Sequence, residues 1–435
     1  MNSPDFSSPA YKRSRAAYIG QSTFDYFVTL LVSDAFLAKL LTSLGVSDSL
    51  AGIIASFVSL VFVFQILSIF LVKGRVGAKT LSIVFEGVSQ LCFASLYLIP
   101  FLNVSKEIRH ALVILAILFA YIAKYLVFSI LFKWGNSFVD PKTRGSFSAK
   151  REIISLVSGI VFTLVISRTF DSFEASGNLN GGFLFISIVI LASNLLGIVC
   201  MLMMKKGVEE EPREEKRSFR DLMRNTVGNE HFRRLLLLSV IWDSARYFLV
   251  GFLGVYKTKE LVMSVFLVQI VNMVANGFRV VFSVPFGKYS DKHSFAKGLE
   301  LGMMLASLAF LICVFTTPKT WYLIILYTII YNVSVAGTNQ NSFNITYSYV
   351  RSEYIVQAMA IKNCVGGICG FVAALIGGRI LSAVQANGNK VIGISMYGQQ
   401  LLSLIAFLLA VVAVLYMHFS ILRRERERNK IHEED

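Results

Sequence analysis

Long apolar runs are the feature of this sequence that most constrains its fold. A helix needs about 20 mostly apolar residues to cross a bilayer, and such runs recur throughout the 435-residue chain. Backbone polar groups inside a bilayer must pair within the protein, which a helix achieves in a single segment. We therefore predict an all-α polytopic membrane protein with twelve transmembrane helices at residues 17–44, 48–71, 80–102, 108–136, 152–170, 182–204, 234–256, 261–286, 297–316, 321–348, 355–383 and 394–418.

The composition favours a membrane protein and argues against a nucleic-acid-binding one. The chain is 55% hydrophobic and 16% charged, whereas a soluble chain is about one quarter charged. A net charge of +15 would suggest nucleic acid in a soluble protein, but here the basic residues cluster between the apolar runs. We interpret them as topology signals and contacts to anionic lipid, so we expect the lipid bilayer and no nucleic acid as a partner.

Lysine and arginine are concentrated in alternate linkers and in both tails of the chain. The linkers after spans 2, 4, 6, 8 and 10 are rich in them, and the other linkers hold few. Because basic loops stay in the cytoplasm, we predict a multi-pass protein of the plasma (cytoplasmic) membrane with both termini cytoplasmic. The predicted cytoplasmic parts are the tails at 1–16 and 419–435 and a central loop at 205–233, in which a short amphipathic helix opens at Ser218.

The two halves of the chain, 17–204 and 234–418, are each predicted to form a six-helix bundle, and they echo each other weakly. The stretch "TFDYF" with Asp25 in span 1 corresponds to "IWDSARYF" with Asp243 in span 7. The stretch "AKREIISLVSGIVFTLVISR" in span 5 matches "AIKNCVGGICGFVAALIGGR" in span 11 over equal length. A parallel repeat of six plus six helices is the layout of one large class of transporters.

The stretch "GKYSDKHSFAK" after span 8 resembles the signature loop of the major facilitator superfamily. Gly287, Asp291, Lys292 and Lys297 fit that pattern, although Lys292 replaces the usual arginine and Ser294 replaces the usual glycine. The resemblance implies two pseudo-symmetric six-helix bundles. It also implies a gating loop in which Asp291 pairs with basic groups and helix N-termini on the cytoplasmic side. An ordinary solvated turn is the alternative.

A few charged residues interrupt the apolar spans, where a charge at mid-bilayer costs about 2.5–3.5 kcal/mol. Lys124 in span 4 shares one aromatic helix face with Tyr121 and Tyr125. We predict that these three residues bind substrate, and that Lys124 pairs with a substrate group or with an acid such as Asp25 or Asp243. The alternative is a lysine whose long stem reaches the headgroups.

A polar stripe runs along span 8. Gln269, Asn272, Asn276 and Arg279 recur at spacings of three, four and three residues, which places them on one helix face. We predict that this stripe lines a central substrate cavity. Hydrogen bonds to neighbouring helices are the alternative.

Span 7 carries a second charged group of residues. Asp243, Arg246 and Tyr247 share a helix face, where the two charges could neutralise each other or bind substrate. We add Asn332 in span 10 and Lys362 in span 11 to the predicted substrate-binding residues.

Asp25 and Asp243 occupy equivalent places in the repeat and are the predicted proton-coupling residues. Burial disfavours the charged form of a carboxyl group, so a buried carboxyl group can exchange protons. Asp25 is preferred because it has no basic neighbour at i+3 or i+4. Glu86 does not fit, since the resemblance makes span 3 an outer support, and we interpret it as paired near the cytoplasmic end of its helix.

These observations predict a secondary active transporter that moves a small polar solute, anionic or sugar-like, by alternating access with proton coupling. A drug:proton antiporter is one alternative, and a non-transporting membrane sensor or partner-binding protein is another. We do not expect an enzyme, because no span carries a His-rich cluster, metal-ligand spacing or paired catalytic acids. We expect no cofactor, no metal and a monomeric protein.

Overall fold

The computed structural model describes residues 6–71, 77–140, 144–206, 226–350, 355–391 and 393–423. Helix occupies each of the twelve predicted spans. The helices are α1 Pro9–Leu31, α2 Asp34–Ser43, α3 Asp48–Ala55, α4 Phe57–Leu71, α5 Ala78–Leu96, α6 Lys106–Asn136, α7 Arg144–Ala175, α8 Leu179–Met203, α9 Glu230–Tyr247, α10 Val265–Lys292, α11 Phe295–Val314, α12 Tyr322–Tyr349, α13 Ile355–Ala386 and α14 Gly398–Tyr416.

Short elements complete the chain between and after these helices. Helical turns lie at Ile99–Phe101, Val250–Phe252, Leu253–Val255, Tyr256–Glu260, Pro318–Thr320 and Met417–Leu422. Strands β1 Lys390–Val391 and β2 Ile394–Ser395 form an antiparallel hairpin in which Lys390 pairs with Ser395. This hairpin between spans 11 and 12 is a small departure from the all-α prediction.

Within the described residues, nine helices are long and apolar enough to cross a membrane. Three predicted spans are not among these nine. The first is divided between α1 and α2 at Val32 and Ser33, the second is divided between α3 and α4 at Ser56, and the third is the 19-residue helix α5. The amphipathic helix predicted to open at Ser218 lies outside the described residues.

Polar side chains begin several of these helices, as expected where the first backbone N–H groups lack partners within the helix. Ser105 Oγ accepts a hydrogen bond from Ile108 N at the start of α6. Asn229 Oδ1 accepts from His231 N, 2.9 Å away, at the start of α9. The apolar runs therefore begin as helices at polar caps.

The chain forms two compact units. Unit 1 comprises Met1–Ser47, Phe64–Arg213 and Ser264–Gln269, and unit 2 comprises Asp48–Val63, Glu214–Met263 and Ile270–Asp435. Unit 2 thus includes residues 48–63 and unit 1 includes residues 264–269, and the division into halves at 17–204 and 234–418 stays a prediction. In unit 1, α5 packs against α6 and α8, while α1 packs against α7 and α8. In unit 2, α9 packs against α13 and α14, and α11 packs against α12 and α14.

Glycines let α3 approach its neighbours closely inside unit 2. A Cβ atom added at Gly52 would overlap the ring of Phe252, and one added at Gly251 would lie 2.5 Å from the Gly52 carbonyl oxygen. A Cβ atom at Gly367 on α13 would overlap the Ser59 carbonyl oxygen on α4. Small residues at such contacts allow backbones to pack directly, as in other membrane helix pairs.

Candidate functional site

An ion pair lies between α1 and α6 in unit 1. Lys124 Nζ is 2.6 Å from Asp25 Oδ1 and donates a second hydrogen bond, 3.1 Å long, to Thr29 Oγ1. The side chains of Lys124 and Asp25 are 15% and 26% exposed. Of the partners expected for Lys124, the structure therefore provides Asp25. The pair is therefore largely buried but not completely enclosed.

Glu86 on α5 adds a second acid to this pair. It is buried, accepts a 2.9 Å hydrogen bond from Gln90 Nε2 and lies within hydrogen-bonding reach of Asp25. Lys124 is close enough to interact with it electrostatically. Glu86 is paired, as expected, but it lies near the middle of α5 and not at its end, where the packing of α5 against α6 brings it close to Lys124. Asp25, Glu86 and Lys124 are called the interior triad below.

Aromatic rings lie on the same helices as Lys124 and Glu86. Tyr121 on α6 packs edge-on against Phe93 on α5, with ring centroids 5.1 Å apart. Tyr125 packs against Phe128 one turn further along α6, with ring centroids 5.9 Å apart. Tyr121, Lys124 and Tyr125 therefore lie on one stretch of α6, and Tyr125 is close enough to Lys124 to interact with it electrostatically.

A second charged group lies in unit 2. Arg246 Nη1 is 3.2 Å from Asp243 Oδ1 on the same helix, in the i, i+3 arrangement expected from the sequence. The Arg246 guanidinium also lies 5.5 Å from the centroid of the Tyr247 ring and within hydrogen-bonding reach of Tyr331 on α12. The side chains of Asp243 and Arg246 are 21% and 32% exposed, so this pair is also partly open.

Lys362 on α13 is buried, and its charge interacts with Asp243 of the second group. Its ammonium group donates to Ser342 Oγ at 2.8 Å and to the Ser342 carbonyl oxygen at 3.1 Å, both on α12. Thr346 Oγ1 accepts at 3.3 Å, and Asp243 is the acidic residue that interacts with Lys362 electrostatically. Lys362 therefore links α13 to α12 as well as contributing charge.

The polar stripe on α10 lies on the less exposed side of that helix. Gln269 is buried and Asn272, Asn276 and Arg279 are half-buried, while alternate residues such as Val281 are exposed. Gln269 belongs to unit 1 and the other three belong to unit 2. The four polar residues lie along one face of α10. Their role in lining a cavity stays a prediction.

Asn332 on α12 is satisfied within its own helix. Its amide donates a 2.9 Å hydrogen bond to the Thr328 carbonyl oxygen, and the side chain is half-buried. Its role as a binding residue stays a prediction.

The predicted gating loop is mostly helical. Gly287, Asp291 and Lys292 lie in the last turns of α10, and Lys297 lies in the first turn of α11. Only residues 293 and 294 separate the two helices, and Ser294 Oγ accepts from Lys297 N at 3.2 Å. The prediction of a loop from Gly287 to Lys292 is wrong, because these polar residues continue helix α10. Asp291 is exposed and forms no ion pair within the described part of the chain, so its latch role stays a prediction.

Sequence reasoning missed several residues that the fold brings to the charged groups. Glu86 could have been recognised by its spacing, since Ser82, Ser89 and Gln90 recur on its helix face. No sequence pattern predicted the contacts of Lys362 with Ser342 and Thr346 on α12. Within the residues that the structure describes, no group of three or more His, Cys, Asp or Glu side chains could hold a metal ion.

Comparisons with known proteins point to one family. Residues 17–374 match the family model of the Major Facilitator Superfamily. The fold is similar to a variant of the nucleoside transporter NupG, with a TM-score of 0.73 and 12% identity over 93% of this chain and 99% of that chain. It is similar to a bacterial homolog of the human lysosomal transporter Spinster, with a TM-score of 0.71 and 13% identity over 94% and 96% of the two chains. It is also similar to the D-xylose-proton symporter, with a TM-score of 0.68 and 13% identity over 94% and 97%.

At these identities the solved structures establish the fold. No curated protein sequence matches this chain. The family match covers most of the chain, and it agrees with the membrane-length helices found in the structure. This chain is therefore a multi-pass membrane protein that belongs to the Major Facilitator Superfamily of transporters.

Proposed function

We propose that this protein is a secondary active transporter that moves a small polar solute by alternating access, driven by protons. The observation that carries the proposal is the ion pair between Lys124 and Asp25 in the interior of unit 1. Charged side chains in membrane helices are costly, so those that are kept face partners or water-filled paths and mark sites of function.

The chemistry of the charged groups supports a polar solute. Lys124 and Arg246 can bind anionic or hydroxyl groups, Asp25 and Asp243 can accept hydrogen bonds, and aromatic rings lie beside both pairs. Rings and hydrogen-bonding side chains together suit sugar-like solutes as well as small anions. The nucleoside transporter and the D-xylose-proton symporter of similar fold are named for hydroxylated solutes, which supports this class.

Proton coupling is supported by the ion pair itself. A proton on Asp25 would remove the charge that holds Lys124 and would leave its ammonium group available for substrate. Asp243 stands in the same relation to Arg246 in unit 2. Asp25 is the better candidate for a coupling residue, because its partner comes from another helix and can separate from it when the helices move.

Uptake into proteoliposomes tests the proposal. We expect a labelled nucleoside, pentose or small carboxylate to accumulate when the outside is acidic, and a protonophore to abolish the accumulation. Accumulation of a cationic dye alone would instead indicate a drug:proton antiporter. If no solute in the panel moves above the level of empty liposomes, the transporter proposal fails.

We also propose the orientation predicted from the basic linkers, with both termini in the cytoplasm of a cell and the protein monomeric in its plasma membrane. Asp291 would then lie on the cytoplasmic side as part of the gate. Labelling of a cysteine introduced near residue 8, in intact cells and in opened cells, checks the orientation. Labelling in intact cells by an impermeant reagent would contradict it.

A further inference from the structure

Glu86 is a buried acid on a helix whose other charged residue lies at its start, and the proposed transport does not yet use it. We propose that Glu86 and Asp25 form a carboxyl pair that binds the coupled proton, with Lys124 as the cation that both acids face. This proposal rests on the proton-driven transport proposed above and identifies the site where the proton is held.

The geometry of the interior triad supports a shared proton. Asp25 lies 2.6 Å from Lys124 Nζ, and Glu86 lies within hydrogen-bonding reach of Asp25. A hydrogen bond between two carboxyl groups requires one proton between them, because two carboxylates have only acceptors. Glu86 is 3% exposed and Asp25 is 26% exposed, so the pair extends from the accessible surface into the protein interior.

The charges of the triad favour the same arrangement. Lys124 balances one carboxylate, and a single proton on the other acid leaves the triad neutral. Burying an uncompensated charge is costly, since the protein interior stabilises it much less than water does. Loading the proton therefore removes an uncompensated negative charge, and its release restores one.

Polar atoms around Glu86 indicate a hydrated face on α5. Ser82, Glu86, Ser89 and Gln90 follow helical spacing along one side of the helix, and all four are buried. Ser82 Oγ, Ser89 Oγ and Gln90 Oε1 form no hydrogen bond within the described part of the protein. Buried polar atoms of this kind are usually satisfied by water, which would provide protons with a path along α5.

Few titratable groups come near Glu86 from the described elements packed against α5. They are Asp25 on α1 and Lys124 on α6, with Tyr125 beyond Lys124 and Tyr121 packed against Phe93 on α5. Helix α8 carries no Asp, Glu, Lys, Arg or His, and its Asn194 amide donates to the Gly87 carbonyl oxygen on α5. A proton that enters this part of unit 1 therefore has the two carboxyl groups as its acceptors.

The proton step is a simple transfer. A proton from water adds to a carboxylate oxygen of the pair and the charge of the triad rises by one, so Lys124 faces one carboxylate charge instead of two. An anionic or hydroxyl group of the solute then competes with that remaining carboxylate for the ammonium group of Lys124. When the solute leaves, Lys124 returns to Asp25 and the proton passes back to water.

Infrared spectroscopy of the purified protein tests the proton site without any solute. The carbonyl stretch of protonated carboxyl groups is recorded as the pH is raised. We expect a pH-dependent band in the wild type that is lost in both Glu86→Gln and Asp25→Asn, because the proton belongs to the pair. The matched control is Glu107→Gln, which removes an exposed acid from the start of α6 and should leave the band unchanged. An unchanged band in Glu86→Gln, or its loss in Asp25→Asn alone, would overturn the proposal.

A second variant keeps the test decisive if Glu86→Gln does not fold. Gln90→Leu leaves both acids in place and removes the donor that contacts Glu86 Oε1, together with a buried oxygen that has no partner in the described chain. Loss of that donor removes a hydrogen bond to the Glu86 carboxyl group, so the pH midpoint of the band should differ from that of the wild type. A band with an unmoved midpoint in Gln90→Leu would contradict a proton on this pair.

Transport distinguishes failure of this inference from failure of the proposed function. In proteoliposomes, Glu86→Gln should still exchange labelled for unlabelled solute but should lose accumulation driven by a pH gradient. Accumulation at the wild-type level would overturn the role of Glu86. If the wild type itself moves no solute, the proposed function fails, and the infrared band still decides whether the pair binds a proton.

Discussion

The ammonium group of Lys124 lies 2.6 Å from the carboxylate of Asp25, although 99 positions separate the two residues in the chain. The pair joins α6 to α1 within unit 1 and leaves both side chains partly exposed. Its contribution to folding and its contribution to transport can therefore be separated by substitutions that remove one charge or both.

Replacing Lys124 by Ala should abolish solute binding while the protein still folds. Asp25 loses its partner, which we expect to cost about 1–3 kcal/mol, less than for a fully buried pair because Asp25 is partly exposed. Solute binding is measured by scintillation proximity with a labelled solute, and stability by titration with SDS. The matched control is Lys133→Ala on the same helix, where the lysine is exposed. Unchanged affinity in Lys124→Ala would contradict its assignment to the site.

The double variant Asp25→Asn with Lys124→Gln should recover stability without recovering transport. With both charges removed, neither partner is left as an uncompensated charge, so the two stability losses should not add. We expect the double variant to be more stable than either single variant by about 1 kcal/mol or more. Additive losses would show that the two residues do not interact in the folded protein.

Gly366→Ala should displace the Asp243 carboxylate without changing any charge. A Cβ atom at Gly366 on α13 would overlap Asp243 Oδ2, so the carboxylate must move away from its place beside Arg246. We expect uptake to fall at least tenfold while the protein remains folded, because a misplaced binding group weakens the site. Uptake in Gly277→Ala is the control, since nothing lies within 4 Å of that position. Equal uptake in both variants would remove Asp243 from the site.

Asp48→Ala should destabilise the protein more than Glu174→Ala. Asp48 is 4% exposed and accepts from Lys259 Nζ at 2.8 Å and from Gln385 Nε2 at 2.6 Å. The Lys39–Glu174 ion pair is shorter, at 2.6 Å, but its side chains are 20% and 37% exposed. We expect a loss of about 2 kcal/mol for Asp48→Ala and about 0–1 kcal/mol for Glu174→Ala. The free energy of unfolding in SDS checks both values, and a larger loss for Glu174→Ala would contradict this ranking.

The positions of the helices could be predicted from the sequence because apolar length is a local property. Helix is present in every predicted span, and the polar caps at Ser105 and Asn229 mark where helices begin. The interruption at Ser56 was not predictable in the same way, because it lies inside a mostly apolar run. The break near Ser33 had a local signal, since Ser33 and Asp34 are residues that commonly begin helices. The extension of α10 through Gly287 and Asp291 was also missed, because the sequence of a polar segment after a span is compatible with either a helix or a loop.

The candidate site was predicted in part. Lys124, Asp25 and Asp243 were selected because a charge inside an apolar span stands out by itself. Packing of α1, α5 and α6 determines that Lys124 pairs with Asp25 and that Glu86 lies beside them. The spacing of residues within one segment does not predict how distant segments pack. Glu86 was misplaced for this reason, although Gln90 on the next turn was a sign of a polar face.

The most direct test of proton-coupled transport is to measure proton and solute entry together. Proteoliposomes containing a trapped pH-sensitive dye receive a solute identified in the uptake panel, and internal acidification is followed as the solute enters. The account predicts acidification on addition of solute to the wild type, and none in Asp25→Asn, where exchange of labelled solute continues. Solute entry into wild-type liposomes without acidification would contradict proton coupling through Asp25.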